Sequence, residues 1–331
     1  MSARHADRGY AAVARARGVA LVTVLLALAL LTAMVGRLGF SNQVWVRQTG
    51  NGAAFLQSAQ ATRAVQDWVS LMLLQNDNNY DSFQDDWARP LAPLPIGSGF
   101  VRGYMEDMQA RLNLNNLLDS NGVTNHEALQ RLRRLLRILD LNPGIADAVV
   151  DWLDADNSPS GPWGAEDGYY LGLNPPYLAA NRRFRDAAEL RLVRGVNAAV
   201  WQQLKPFVSA LPRADVAVNI NTASPEVLAS AVPHWGSPRS AAVEAAQWVG
   251  QARQTPFRTV KEFYDAAGLD YDEDEPPTGL SVRSKFFLAH TRVELGDHAR
   301  NVATLYQRPG QRDEQHADGR ARVLAHWREF E

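Results

Sequence analysis

Residues 18–37 read GVALVTVLLALALLTAMVGR, an apolar run whose only polar side chains before Arg37 are Thr23 and Thr32. The short leader ahead of this run is basic, with four arginines against one aspartate. A secretory signal peptide would be cleaved after its apolar run, which would release the rest of the chain. Here we expect cleavage ahead of the run, between Gly18 and Val19, so that the apolar segment stays on the mature protein.

The apolar run predicts one membrane-spanning helix over residues 19–36. From Val19 to Val35 a helix rises about 25 Å, at ~1.5 Å per residue, slightly less than a hydrocarbon core of about 30 Å. The long side chain of Arg37 can reach the interface. Positive charge that flanks a membrane helix stays on the cytoplasmic side. We therefore expect the bulk of the chain on the opposite side of the membrane.

Composition excludes several classes of function. The formal net charge of the 331 residues is −2, so no overall field favours nucleic acid or anionic lipid. The sequence has no cysteine, which excludes disulfides, thiolate metal sites and cysteine catalysis. We find no nucleophile–base pair, metalloprotease spacing or phosphate-binding loop. The sequence therefore does not predict an enzyme.

Hydrophobic spacing predicts a mostly helical chain. The first helix is expected to continue toward residue 75, with a bend or a melted turn at residues 50–52 and a cap and turn at 76–79. A later helix is expected to be capped by Thr124, with Glu127 at its third position. The helices predicted after the first cover residues 125–139, 143–153, 187–193, 197–205, 225–231, 239–253 and 260–267.

Strands are expected at both ends of this helical region. Residues 99–108 predict a strand that leads into a turn, and the last part of the chain alternates toward period two. The closing strands are predicted at residues 286–295, 301–308 and 321–330. The predicted fold class is α+β: a long N-terminal helix and an antiparallel sheet, interrupted by a large α-helical insertion.

Several sequence blocks resemble those of minor pseudopilin K from bacterial type II secretion systems, also called general secretion pathway protein K. They follow the order of that family over nearly the whole chain. The blocks are RGVAL (17–21), QARLNLN (109–115), VDWLDAD (150–156), GAEDGYY (164–170), ELRLVRG (189–195) and VNINTAS (218–224). The resemblance implies a pilin-like head that carries a large helical insertion.

The resemblance also implies a place and partners. The chain is expected in the bacterial inner membrane with its head in the periplasm, cleaved by the prepilin peptidase and placed at the pseudopilus tip. There it would nucleate assembly with minor pseudopilins I and J and other pseudopilins, and contact secreted cargo or the outer-membrane secretin. No nucleic acid partner is expected.

The predicted domains follow the family arrangement along the chain. They are the prepilin leader (1–18), the transmembrane segment (19–36), the pilin-like first helix and first strands (37–110), the first part of the insertion with an acidic loop (111–212), its second part, which is like a helix–hairpin–helix (213–283), and the closing strands (284–331).

Thr23 would be the fifth residue of the mature chain. Most pilin-like subunits share a glutamate at that position. In hydrocarbon such a carboxylate costs a few kcal/mol unless it is paired, whereas a threonine can bond to its own helix. A subunit with Thr23 has no electrostatic reason to dock beneath another, so it can be the first one in a filament. The alternative is that Thr23 is one tolerated polar residue in an apolar helix.

An acidic loop around residues 151–167 is a candidate cation site. Calcium prefers six to eight oxygen ligands on a bent backbone, and this loop has no histidine or cysteine that would favour zinc. The acidic or amide side chains are Asp151, Asp154, Asp156, Asn157, Glu166 and Asp167. Composition alone favours a solvated acidic loop over a cation site. The family resemblance implies calcium, with Asp154, Asp156, Glu166 and Asp167 as ligands. A second acidic run, residues 270–275, is expected to be an exposed loop.

Two other functions stay open. Residues 218–228 (VNINTASPEVL) and 254–260 (QTPFRTV) resemble the helix–hairpin–helix of DNA-uptake receptors. The hairpin position, however, lacks a glycine-rich turn and a basic surrounding that would bind phosphate. A membrane-anchored DNA-binding receptor of competence type is the main alternative. A protein with one membrane helix and an uncharacterised ectodomain is the third.

Overall fold

The protein is described from a computed structural model that covers residues 7–75, 79–97, 99–232, 235–296, 298–309 and 321–328. The chain divides into two compact units, Met1–Gln60 and Ala61–Glu331. The α-helices are α1 (Asp7–Leu74), α2 (His126–Ile138), α3 (Ile145–Leu153), α4 (Asp167–Tyr170), α5 (Ala198–Leu204), α6 (Pro225–Ala231), α7 (Pro238–Gln254) and α8 (Val260–Ala267).

The strands are β1 (Leu91–Ile96), β2 (Gly99–Asp107), β3 (Leu112–Asn113), β4 (Val208–Ser209), β5 (Val218–Asn219), β6 (Leu280–Ser281), β7 (Phe286–Leu295), β8 (His298–Gln307) and β9 (Arg322–Arg328). Short 3-10 helices occupy Asp86–Ala88, Met108–Ala110, Leu114–Leu117 and Ala187–Leu192. This arrangement confirms the predicted α+β fold class.

The first unit is helical wherever it is described, and its apolar side chains between Leu21 and Val35 are exposed. Helix α1 is long and apolar enough to cross a membrane. It continues without a break through Gly50 and Gly52, so the melted turn considered there is wrong. Each glycine costs only about 1 kcal/mol relative to alanine, which a long cooperative helix tolerates. The cap and turn predicted at 76–79 fall mostly outside the described residues.

A five-stranded antiparallel sheet, in the order β1-β2-β7-β8-β9, forms the frame of the second unit. Strand β7 is the centre, paired with β2 over residues 287–295 and with β8 along its whole length. The sequence prediction missed β1 because of Pro93 and Pro95. A proline cannot donate to a sheet and is therefore restricted to edge strands, and β1 lies at such an edge.

Both faces of this sheet are covered within the second unit. On one face, Val69 and Leu73 pack with Phe287 and Tyr306. On the other face, Leu211 and Val216, which belong to the insertion, pack with sheet residues that include Phe286, Leu288 and Leu305. The centre of the sheet is thus covered on one face by the last turns of α1, which belong to the second unit, and on the other by the insertion.

The insertion leaves the sheet after Asp107 and returns at Phe286, and it has a large apolar core of its own. Helix α2 buries Leu129, Leu132 and Leu136 on one side, as its spacing predicts. The predicted Thr124 cap is wrong by one residue, since the Asn125 side chain accepts a hydrogen bond from the Ala128 N–H. Both residue types cap helices well, so the sequence alone does not separate the two positions.

Buried polar groups join the sheet to the insertion and to the segment that precedes β1. Arg308, at the end of β8, forms two hydrogen bonds of 2.9 Å with the carboxylate of Asp81, and both side chains are almost fully buried. Nearby, the buried Asp107 carboxylate accepts hydrogen bonds from the Thr222 and Ser284 hydroxyls and from the Asn219 amide. Burial raises the pKa of Asp107. The bonds to Asp107 fix the point at which the insertion begins and ends, and the Asp81–Arg308 pair ties the segment ahead of β1 to the end of β8.

Candidate metal centre

Asp154 and Glu166 stand at the two ends of one loop because of how the neighbouring helices end. Helix α3 is buried along its length and ends at Leu153. The backbone of Asp154 is extended, and its N–H still donates to the Val150 carbonyl. The chain then loops outward and re-enters at Glu166, the extended residue that precedes α4. The turn therefore returns Glu166 to the C-terminal end of α3.

Three carboxylates converge in this loop. One oxygen each from Asp154, Asp156 and Glu166 lies within 4.8 Å of the others. Asp154 and Glu166 are buried, whereas Asp156 is exposed. Asp154 Oδ1 and both Glu166 oxygens have no hydrogen-bond partner among the described residues. Buried polar atoms without partners cost free energy, so these oxygens fit a cation better than an empty site.

The electrostatics of the site agree with its geometry. Burial, together with the nearby Asp156 and Asp151, raises the pKa of Asp154 to about 6. Burial, followed by the charges of Asp151 and Asp154, raises the pKa of Glu166 to about 7. A divalent cation would remove the mutual repulsion that produces these shifts. The donor set is oxygen only, which suits a hard cation such as calcium or magnesium.

Asp151 shapes the loop instead of joining the three carboxylates. Its side chain is fully buried. Its Oδ1 accepts a hydrogen bond of 2.8 Å from the Ser160 N–H, and its Oδ2 accepts one of 2.6 Å from the Ala165 N–H. Both bonds tie the loop to α3, and the second lies one residue before Glu166. Asp151 is therefore a positioning residue for the site.

Two glycines allow this close approach. A Cβ on Gly164 would lie 2.4 Å from Asp151 Oδ2, and a Cβ on Gly161 would lie 2.6 Å from Asp147 Oδ2. Asp147 itself is held by a 2.7 Å ion pair with Arg133 of α2. Any larger residue at these two positions would collide with a carboxylate at the base of the loop, which explains why both are glycine.

Arg194 holds the loop from outside. Its Nη1 donates a 2.9 Å hydrogen bond to the Gly164 carbonyl. Its guanidinium lies 5.3 Å from the Trp163 ring centre and 4.9 Å from that of Tyr169. Trp163 also packs on Gly144, where a Cβ would come within 2.4 Å of its ring. Trp163 and Arg194 thus hold the loop against the body of the insertion.

The other acidic residues of the sequence prediction lie elsewhere. Asp167 Oδ1 accepts a hydrogen bond of 3.0 Å from the Ala179 N–H. Asn157 Oδ1 accepts a longer one, 3.3 Å, from the Asp167 N–H. Neither belongs to the group of three converging carboxylates. The second acidic run, 270–275, is mostly exposed, as expected, and Asp272 accepts bonds from the N–H groups of its own loop.

The N-terminal sites predicted from the sequence lie in α1. Gly18 and Val19 belong to its helical backbone, and Thr23 is exposed within the apolar run. Their assignment as cleavage and assembly positions stays a prediction. The hairpin of the DNA-binding alternative lies between α6 and α7, and its residues 233 and 234 fall outside the described part of the chain.

Comparison with known proteins gives one consistent result. Two family models described as type II secretion system (T2SS), protein K match residues 110–213 and 218–283. Type II secretion system protein K of Pseudomonas aeruginosa is 32% identical over 322 residues, covering 93% of this chain and 91% of that protein. The protein of the same name from Aeromonas hydrophila is 31% identical and covers 89% and 93%, respectively.

A solved structure shows the same fold. One chain in the crystal structure of the GspK–GspI–GspJ complex from the enterotoxigenic Escherichia coli type 2 secretion system matches with a TM-score of 0.68 and 28% identity. The match covers 86% of this chain and 98% of that one. By sequence over almost its whole length and by fold, the chain belongs to the type II secretion system protein K family.

Proposed function

We propose that this protein is a minor pseudopilin of a type II secretion system that sits at the tip of the pseudopilus and binds minor pseudopilins I and J. One observation carries the proposal. The similar solved chain belongs to a complex named for GspK, GspI and GspJ, and the match covers 98% of that chain. The role is structural and not catalytic, since the relatives are named as secretion-system components.

The first helix supports an anchored, filament-forming subunit. Its apolar side chains from Leu21 to Val35 are exposed, as a membrane or a neighbouring helix requires. In the proposed sequence of events, the prepilin peptidase cuts between Gly18 and Val19. The head then lies in the periplasm, and the subunit nucleates the filament because Thr23 needs no partner beneath another subunit. Other pseudopilins would then assemble below this subunit. Above it, the subunit would contact secreted cargo or the secretin.

Calcium is the proposed ligand of the acidic site. Asp154, Asp156 and Glu166 would hold the ion, with Asp167 close in sequence as a further oxygen source. The positive charge of the bound ion would offset the repulsion among the three converging carboxylates. It would tie the end of α3 to the start of α4 and so stabilise the first part of the insertion.

A genetic complementation experiment tests the proposed function. Deleting the gene for this chain in its own bacterium is expected to stop export of the proteins that the system secretes. The full chain should restore export, whereas a chain without residues 19–36 should not. Normal export in the deletion strain would contradict the proposal. The DNA-receptor alternative predicts salt-dependent binding of duplex DNA to the purified protein. Under the proposed function we expect no such binding.

A further inference from the structure

The two edges of the five-stranded sheet differ in a way that the family assignment does not explain. At one edge, β1 contains Pro93 and Pro95 and has an irregular register between Leu91 and Leu94. Prolines and bulges are devices that prevent another strand from pairing with an edge. At the other edge, β9 has seven residues without proline or glycine. No strand pairs with its outer side in the described part of the chain.

Leu324 of β9 is half-buried, but other β9 side chains are exposed on both faces of the sheet. Its register with β8 places Val323 beside Tyr306 and Trp327 beside Ala303, which belong to the two opposite faces. Val323 is 38% exposed and Trp327 is 41% exposed. Cross-strand neighbours of this β-branched and aromatic kind stabilise a paired strand. A strand added to β9 would therefore find apolar neighbours on each face as well as unpaired backbone groups.

The charge of β9 selects among the strands that could pair with it. The strand contains Arg322, His326 and Arg328 and no acidic residue. Among the described side chains, Arg322 forms no ion pair. The two arginines lie about 20 Å apart at ~3.3 Å per residue. A second copy of β9 would bring like charges together, which is unfavourable in a sheet, whereas acidic side chains would pair with both arginines.

We propose that β9 is a docking edge that accepts an extended, acidic segment of another polypeptide as a sixth strand. Main-chain hydrogen bonds would supply the affinity, and the two arginines would supply the selectivity. The blunted β1 edge restricts this pairing to one side of the sheet. Such a surface lies outside both the acidic loop and the apolar helix.

Binding of a defined peptide to the full-length protein in detergent tests this proposal. The probe is a fluorescent nine-residue peptide that alternates glutamate with valine. Its controls are the same peptide with lysine for glutamate and one with prolines at two central positions. The test variant combines Arg322→Glu with Arg328→Glu. Its matched control combines Arg185→Glu with Arg191→Glu, two exposed residues of the insertion, and changes the net charge equally.

We expect the glutamate peptide to bind and to slow deuterium exchange of the β9 amides. The Arg322/Arg328 variant should bind it at least about tenfold more weakly, while the control variant should bind as the natural protein does. If the proline-containing peptide bound as tightly as the glutamate peptide, binding would depend on charge alone and not on main-chain hydrogen bonds. That result would overturn the proposal. Unchanged β9 exchange, absent binding, or a dimer formed through β9 would overturn it as well.

Discussion

Asp154 and Glu166 bring carboxylate oxygens within 4.8 Å of each other although both side chains are buried. Asp154 Oδ1 and both oxygens of Glu166 have no hydrogen-bond donor among the described residues. Asp151 and Arg194 hold the loop that produces this arrangement. The fold thus maintains a repulsive contact, and the proposed calcium ion explains why it does so.

Calcium is expected to stabilise the protein against unfolding. An ion at 100 times its dissociation constant adds about 2.7 kcal/mol to the free energy of unfolding. For a domain of this size that gain corresponds to about 5–10 °C in melting temperature. Differential scanning calorimetry with calcium and with a chelator measures the difference. An identical melting temperature in both conditions would remove calcium from the account.

Glu166→Gln provides the variant for the same measurement. The amide keeps the shape of the side chain but removes one of the repelling charges, so the variant should gain no stability from calcium. Without calcium at pH 8 it should melt above the natural protein, because the buried charge is gone. Asp272→Asn, in the exposed second acidic run, is the control and should keep the full calcium response.

Calcium binding is expected to depend on pH between 6 and 7.5. The pKa values of Asp154 and Glu166 are raised from 3.8 and 4.5 to about 6 and about 7. The folded protein therefore binds these protons more strongly than the unfolded chain. The contribution of these two groups to the free energy of unfolding of the calcium-free protein therefore falls as pH rises from about 4 to about 7.

Calcium competes with the same protons, so its affinity should increase about tenfold from pH 6 to pH 7.5, with proton release. Isothermal titration calorimetry at pH 6.5, in two buffers of different ionisation enthalpy, detects that release. The observed binding enthalpy should differ between the buffers. Equal enthalpies would show that no proton leaves, and that the two carboxyls are already ionised.

The buried ion pair between Asp81 and Arg308 should contribute to the free energy of unfolding but not to calcium binding. Arg308→Met leaves the Asp81 carboxylate buried without its main partner, which is expected to cost about 3–5 kcal/mol. Urea unfolding measures this loss. Adding Asp81→Asn to Arg308→Met should recover part of it, because no buried charge then remains. A loss below about 1 kcal/mol for the single variant would mean that solvent reaches the pair.

Thr23→Glu should leave peptidase cleavage intact but weaken assembly at the tip. An unpaired carboxylate in hydrocarbon costs a few kcal/mol, so the variant would seek the N-terminal amine of another subunit. Thr23→Val, which is apolar and similar in size, is the control and should assemble normally. Recovery of minor pseudopilins I and J with the tagged chain measures assembly. Unchanged recovery and secretion with Thr23→Glu would show that Thr23 is merely tolerated.

Local signals were enough to predict much of the fold. Ser224 and Thr259 cap α6 and α8, and both helices have their predicted bounds. The central strand β7 also matches residue for residue. Strand β1 could not be predicted, because prolines exclude a central strand and only the finished sheet shows that β1 is an edge. Neighbouring polar residues such as Thr124 and Asn125 compete equally for a cap.

The candidate site was predicted in its residue types but not in its detailed arrangement. Asp154, Asp156 and Glu166 converge, whereas Asp167 accepts a bond from the Ala179 N–H. Which way a loop side chain turns depends on the whole loop. Arg194 contacts the loop from a distant part of the chain, so no local pattern could identify it.

The proposed function requires that the cleaved chain assemble with two smaller partners. Native mass spectrometry of the complex isolated from membranes, with minor pseudopilins I and J of the same system co-expressed, measures this directly. We predict one copy of each protein, with this chain beginning at Val19. A chain that retains its leader, or that is isolated alone or only with copies of itself, would contradict the proposed function.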